Sequence, residues 1–241
     1  MRIRTVKKMK IGIVGGIGPE STVDYYKSLI YKYKKLKSDG SYPKIIIDSI
    51  DMQEVLNFIA AKQWYKLVDM LVESLNNLYI AGANIGVISS NTPHIVFQKV
   101  KKFAPMPVLS IVEETRERAK ALKLKNLGLL GTITTMEEPF YKDSFLKSAI
   151  DITVPRKAER EYIQQRIFTE LENGIINKRT REGFLNIITR MIKEEFIDGV
   201  ILGCTEIPII LKDGDLNIPF LNTVDIHVDG IIKEMKNNGE F

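Results

Sequence analysis

The sequence predicts an α/β protein of two pseudo-symmetric α/β domains, each with a short, mainly parallel sheet flanked by helices, and an active site in the cleft between them. Three observations lead there. Short runs rich in Ile, Val and Leu alternate with helical patterns along the 241-residue chain, as parallel strands joined by helical crossovers do. The chain also repeats itself. KIGIVGGI at 10–17 matches NLGLLGTI at 126–133, and IGVISSNTP at 85–93 matches DGVILGCTEIP at 198–208. The offsets are nearly equal, 116 from Gly12 to Gly128 and 114 from Ser90 to Cys204, so both pairs are read as one duplication. Finally, the length suits two domains of about 100 to 120 residues. The expected halves are residues 1–106 plus 222–241, and 107–221.

The strands are expected at Lys10–Val14, Lys44–Ser49, Ile85–Ser89 and Val108–Ser110, then at Leu127–Leu130, Ile152–Val154, Val200–Leu202 and Phe220–Leu221. Each is short, apolar and bounded by Gly, Pro or Asn, as strands buried on both faces are. Helical spacing is plain in the stretch from Trp64 to Val72 and again from Phe184 to Ile192. Pro93 and Thr205-Glu206 read as helix starts, with Pro208 in the first turn of the second.

Composition narrows the function. Charged residues make up 27% and the net charge is +5, without a basic stripe interleaved with aromatics, so nucleic acid is not an expected partner. The basic run Arg2 to Lys8 reads as a solvated terminus. No apolar run reaches the ~20 residues of a membrane span, and Met1 to Lys10 lacks a signal-peptide core. One cysteine excludes a disulfide framework and a CxxC metal site. The expectation is a cytoplasmic protein without a metal or other cofactor, acting on a small molecule.

In parallel α/β sheets ligands bind beyond the carboxyl ends of the strands. Four turns lie there: Gly15 to Pro19, Ser90 to Thr92, Gly131 to Thr135, and Gly203 to Glu206. The first fits neither a phosphate-loop nor a dinucleotide fingerprint. Its backbone N–H groups, around Ile17, suit a carboxylate. Ser90, Asn91 and Thr92 bring three small polar side chains to one turn, where Thr92 serves equally as a helix cap. His94, just inside, suits a structural hydrogen bond. Thr132 and Thr135 read both as a cap and as hydroxyls for a carboxylate. Cys204 is either small apolar filler or, at a helix N-terminus, a thiol whose pKa is lowered toward neutrality. With no histidine partner evident, such a thiolate suits proton transfer rather than acyl transfer.

GIVGGIGPEST, SSNTPH, GLLGTITTMEEPFY and VILGCTEIPII, in that order between Lys10 and Met235, resemble the aspartate/glutamate racemase family of cofactor-independent amino-acid racemases. SIDMQEV at 49–55 and TMEEPFY look most like its broad-specificity aspartate/glutamate branch. The motif that carries a strap-loop arginine in aspartate racemases is absent from residues 48–60. The resemblance implies a homodimer and a base and an acid on opposite faces of the substrate Cα, which explains the duplication. Family members usually place a cysteine in each half; here the second is Cys204 and the first is Ser90. The implied catalytic residues are Cys204 and Ser90, with Ile17, Asn91, Thr92, Thr132, Thr135 and Thr205 around the substrate. Two origins of Ser90 stand open, a native serine that holds a water and an engineered Cys→Ser change. Three functions stand as well: racemisation of aspartate or glutamate, a one-cysteine decarboxylase or isomerase of the same superfamily, and a carboxylate-binding protein that has lost catalysis.

Overall fold

Among the described residues eight strands form where the apolar runs predict them, in two four-stranded parallel sheets of identical order. In the computed structural model, which describes residues 9–37 and 39–241, the first sheet is built from β1 (Lys10–Gly15), helix α1 (Pro19–Leu36), β2 (Lys44–Ser49), α2 (Met52–Ala60), α3 (Trp64–Ile80), β3 (Ile85–Ile88), α4 (Phe97–Phe103) and β4 (Val108–Leu109). Its strand order is β2-β1-β3-β4. The second follows with α5 (Ile111–Ala121), β5 (Asn126–Leu130), α6 (Ile133–Glu137), α7 (Phe140–Leu146), β6 (Asp151–Thr153), α8 (Lys157–Thr169), α9 (Lys178–Glu195), β7 (Gly199–Leu202) and β8 (Phe220–Asn222), in the order β6-β5-β7-β8. Helix α10 (Thr223–Asn237) closes the chain. The basic run Arg2 to Lys8 lies outside the described residues.

Two compact units result. One takes the chain up to Ser89 with Val96–Ser110 and His227–Phe241; the other is Ser90–Ile95 with Ile111–Ile226. The repeat assigns the Ser90 turn to the first half, and the packing groups it with the second.

Burial on both faces runs through the central strands. β1 after its first residue, β3 and β7 are wholly buried, and the first core gathers Ile11, Ile13, Leu67, Leu71, Leu75 and Val87. The second collects Leu127, Leu129, Val200, Ile201, Phe145, Phe184 and Ile188. Each such side chain contributes about 1.5–3 kcal/mol on burial. β2 and β6, at one edge of each sheet, bury no residue fully, whereas β4 and β8 at the opposite edges bury Val108, Phe220 and Leu221.

Equivalent strand ends carry the turns of interest. Ser89 N–H donates to Val14 O at 3.0 Å and Gly203 N–H to Leu130 O at 2.6 Å, so both ladders run one residue past β3 and β7. Glycine is required at the second crossing: a Cβ on Gly203 would sit 2.9 Å from Leu130 O, and one on Gly131 3.0 Å from Gly203 O. The close approach brings the turns after β5 and β7 off the sheet side by side.

The helices expected at Pro93 and Thr205 are shorter than predicted. Each is a single 3-10 segment, Thr92–Val96 before α4 and Ile207–Ile209 before a turn. Such short pieces carry little of an α-helix dipole.

Candidate active site

The residues after β3 are held by side chains far along the chain. Asn91 is buried, and its Oδ1 accepts from Tyr141 Oη at 2.6 Å while its Nδ2 donates to Thr223 Oγ1 at 3.1 Å. Thr223 in turn donates to Leu202 O at 3.0 Å. Burial raises the Tyr141 phenol far above its ordinary value, so Tyr141 is a permanent donor. Asn91 is thereby fixed in orientation by two buried partners.

Thr92, Thr132 and Thr135 form a triangle of hydroxyls. Their Oγ1 atoms lie 3.3 Å (Thr92–Thr132), 3.1 Å (Thr92–Thr135) and 3.1 Å (Thr132–Thr135) apart. Thr132 is also the N-cap of α6, accepting from Thr135 N–H at 3.3 Å, so the capping and ligand readings coexist. Hydroxyl hydrogens rotate freely, and the three can turn outward together as donors to one carboxylate.

His94 is structural, as its position suggests. Its Nδ1 lies 2.9 Å from the Ser90 carbonyl and its Nε2 accepts from Ile111 N–H at 3.4 Å. A carbonyl only accepts, so Nδ1 carries the proton. Burial pushes the imidazole down to about 4, and the ring stays neutral. It ties the Ser90 backbone to the start of α5, one reason this turn belongs to the second unit. Ser90 itself is half-buried.

The turn after β7 is organised around one carboxylate oxygen. Cys204 Sγ donates to Glu206 Oε2 at 2.8 Å, and Thr205 Oγ1 donates to the same atom at 2.8 Å. Cys204 and Glu206 are each 7% exposed. Here the expectation of a lowered thiol pKa is overturned. Burial raises it well above its ordinary value, and the Glu206 charge and its bond to the thiol push the same way. The helix dipole that the lowering relied on is absent, since only the 3-10 turn Ile207–Ile209 follows. Cys204 therefore rests as a thiol with a carboxylate placed to take its proton.

Thr205 is thus turned toward Glu206. Ile17 lies buried in the first unit, between Gly16 and Gly18, whose φ angles are 85° and 47°. Sequence reasoning missed Tyr141, Thr223 and Glu206. Glu206 was visible in GCTE as a neighbour of the cysteine; Tyr141 and Thr223 left no local signal. Among the described residues, no group of three or more His, Cys, Asp or Glu could hold a metal ion, and no helix is long and apolar enough to cross a membrane.

A profile of the family described as Asp/Glu/Hydantoin racemase matches residues 14–231. The structure of a candidate Asp/Glu racemase from Yersinia pestis aligns at a TM-score of 0.87 and 30% identity, over 95% of this chain and 100% of that one. An aspartate racemase homologue from Pyrococcus horikoshii aligns at 0.84 and 33% identity, over 94% and 99%. A broad specificity amino-acid racemase of Bacillus subtilis is 23% identical over 221 residues, 88% of this chain and 92% of that protein. Against two of the curated glutamate racemases it matches, the chain spans 56% and 58% of their length.

Proposed function

The chain belongs to the Asp/Glu/Hydantoin racemase family, and on that premise we propose that it inverts an α-amino acid by moving the Cα proton, with Cys204 as the acid/base group on one face and Ser90 on the other. Aspartate and glutamate come forward as substrates from the names of the relatives in Yersinia and Pyrococcus. The observation that carries the reading is the 2.8 Å bond from the Cys204 thiol to Glu206.

A thiol cannot accept a proton, so the reaction begins with Glu206. Transfer along the existing bond gives Cys204 thiolate and Glu206 carboxylic acid. An arriving α-ammonium favours this direction, because nearby positive charge stabilises a buried thiolate. The thiolate then takes the Cα proton, and the electron pair left on Cα is shared with the α-carboxylate. Hydroxyl donors at Thr92, Thr132 and Thr135 stabilise that developing charge. Returning a proton from Cys204 restores the starting enantiomer. Delivering one to the opposite face inverts it, and the proposal assigns this to a water held by Ser90. The hydroxide left behind is neutralised by the proton parked on Glu206.

Serine is a poor acid near neutrality, so the second face is slow. Incubation in D₂O, followed by proton NMR and chiral chromatography, tests the reading. Loss of the Cα proton is expected to outrun the appearance of the other enantiomer, and Cys204→Ala is expected to stop both. Exchange that survives Cys204→Ala would overturn the proposal. Carbon dioxide release would favour the decarboxylase alternative, and tight binding without exchange the binding-protein alternative.

A further inference from the structure

The buried hydrogen-bond chain from Tyr141 to Leu202 has a direction that the chemistry above does not use. Tyr141 on α7 and Thr223 at the start of α10 are fully buried, and Asn91 between them is 3% exposed, so solvent does not compete for the three bonds. Leu202 O, at the end of β7, can only accept, and Thr223 spends its one hydroxyl hydrogen there, at 3.0 Å. Thr223 Oγ1 must then accept from Asn91, 3.1 Å away, which puts the amide Nδ2 on that side and Oδ1 on the other. Oδ1 in turn needs a donor, and the Tyr141 hydroxyl supplies it at 2.6 Å. A flipped amide would set Oδ1 against a hydroxyl whose hydrogen is committed to Leu202. One backbone carbonyl thus decides which way the Asn91 amide faces.

The amide nitrogen has two hydrogens. One goes to Thr223, and the second has no acceptor among the described residues. A buried donor left unpaired is costly, so an acceptor brought from outside the protein is favoured there. The neighbours of Asn91 in the chain are Ser90 and Thr92, and Thr92 belongs to the hydroxyl triangle, 3.1 Å from Thr135 and 3.3 Å from Thr132. The backbone of the turn is fixed as well, because His94 N–H donates to Asn91 O at 3.0 Å. Side chain and carbonyl are held, and one N–H is left over.

Resting on the racemase reading of this site, we propose that Tyr141 and Thr223 are positioning residues that act through Asn91, holding its spare N–H as a fixed donor to the substrate's α-carboxylate beside the threonine hydroxyls. The hydroxyls rotate and must be organised when the ligand arrives, whereas the amide donor is aimed in advance. Removal of the Cα proton shifts negative charge onto the carboxylate oxygens. A fixed donor there is worth more in the transition state than in the bound substrate. The same chain ties the Asn91 turn to Leu202, two residues before Cys204, and so keeps the donor in register with the thiol.

The experiment is Cα-proton exchange in D₂O, well below the melting temperature, with whichever L-amino acid of a standard panel exchanges fastest, aspartate and glutamate included. It compares the full chain with Tyr141→Phe, Thr223→Val, Thr223→Ser and the double variant Tyr141→Phe/Thr223→Val. Tyr141→Phe and Thr223→Val are each expected to lower kcat/KM about tenfold, chiefly through kcat. Thr223→Ser keeps the hydroxyl and should exchange like the unaltered protein. Because both residues act through one amide, the double variant should be no slower than the slower single one, whereas independent losses would multiply to about a hundredfold. Should Tyr141→Phe not fold, the contrast between Thr223→Val and Thr223→Ser decides. A lowered melting temperature with kcat and KM unchanged, losses that multiply, or a Thr223→Ser as slow as Thr223→Val would overturn the inference while leaving the racemase reading intact. No exchange with any amino acid of the panel overturns both.

Discussion

The turns after β3 and β7 hold equivalent positions in two sheets of the same strand order, yet their side chains are bonded differently. Each starts two residues beyond its strand, at Ser90 and Cys204, and each leads into one 3-10 segment containing a proline, Pro93 or Pro208. After β3 the polar side chains are spent on anchoring: Asn91 on Tyr141 and Thr223, Thr92 on the threonine triangle, His94 on Ser90 and Ile111. After β7 the polar atoms converge on each other, Cys204 and Thr205 on one oxygen of Glu206. The lesson is that duplicated geometry does not carry duplicated chemistry. A position becomes an acid or a base through the groups that burial places around it, and only the second turn has a carboxylate against its nucleophilic atom.

The most severe way to break this contrast is Cys204→Ala. General acid–base groups contribute about 10²–10⁴-fold, so exchange in D₂O should fall by at least about a hundredfold, with the folded circular-dichroism spectrum retained. Retained exchange would mean that the second turn is not the reactive one.

Next comes acid. His94 is neutral when folded, with a pKa near 4 against an ordinary 6.5. Its depressed folded value means that the stability it contributes is present above pH 6.5 and is lost as pH falls toward 4, by roughly 3 kcal/mol in all. Urea unfolding of the protein and of His94→Gln, compared at pH 7 and at pH 4.5, should show the two converging at the lower pH. A gap of unchanged size would show that the anchor of the Ser90 turn does not titrate.

Thr92→Val keeps the shape of the first turn and removes one corner of the triangle. Loss of a hydrogen bond to a charged ligand group costs about 1.5–3 kcal/mol, so KM should rise by roughly ten- to a hundredfold. An unchanged KM would make the triangle a capping device alone.

Ser90→Cys is the mildest change and the most direct test of the asymmetry. A second thiol should bring the initial exchange rates of the two enantiomers together and speed inversion by about tenfold, which needs only about 1.4 kcal/mol from the barrier. Equal rates from both enantiomers before the change would show that a competent second base is already present.

Much of this was legible in the chain. Runs such as Ile11 to Val14 and Val200 to Leu202 announce buried parallel strands because so few other arrangements hide unbroken apolar segments. The twin phrases at 85–93 and 198–208 announce equivalent turns, and the four racemase-like motifs name the family. Less legible were the lengths of the segments after Pro93 and Thr205, where a proline and polar residues suit an α-helix start and a 3-10 turn alike. Tyr141 and Thr223 were invisible as partners of Asn91, because hydrogen bonds that span 50 and 132 residues leave no periodic trace.

By itself the sequence determined the strands, the repeat and the residue types at each turn, since these follow from local spacing and side-chain chemistry. Only the tertiary structure decided where the protons rest. Burial of Cys204 against Glu206 keeps the thiol protonated, and burial of His94 between the Ser90 carbonyl and the Ile111 N–H keeps its imidazole neutral. Proton affinity depends on the dielectric and the charges within a few ångströms, and those are set by chain segments that meet only when the protein folds.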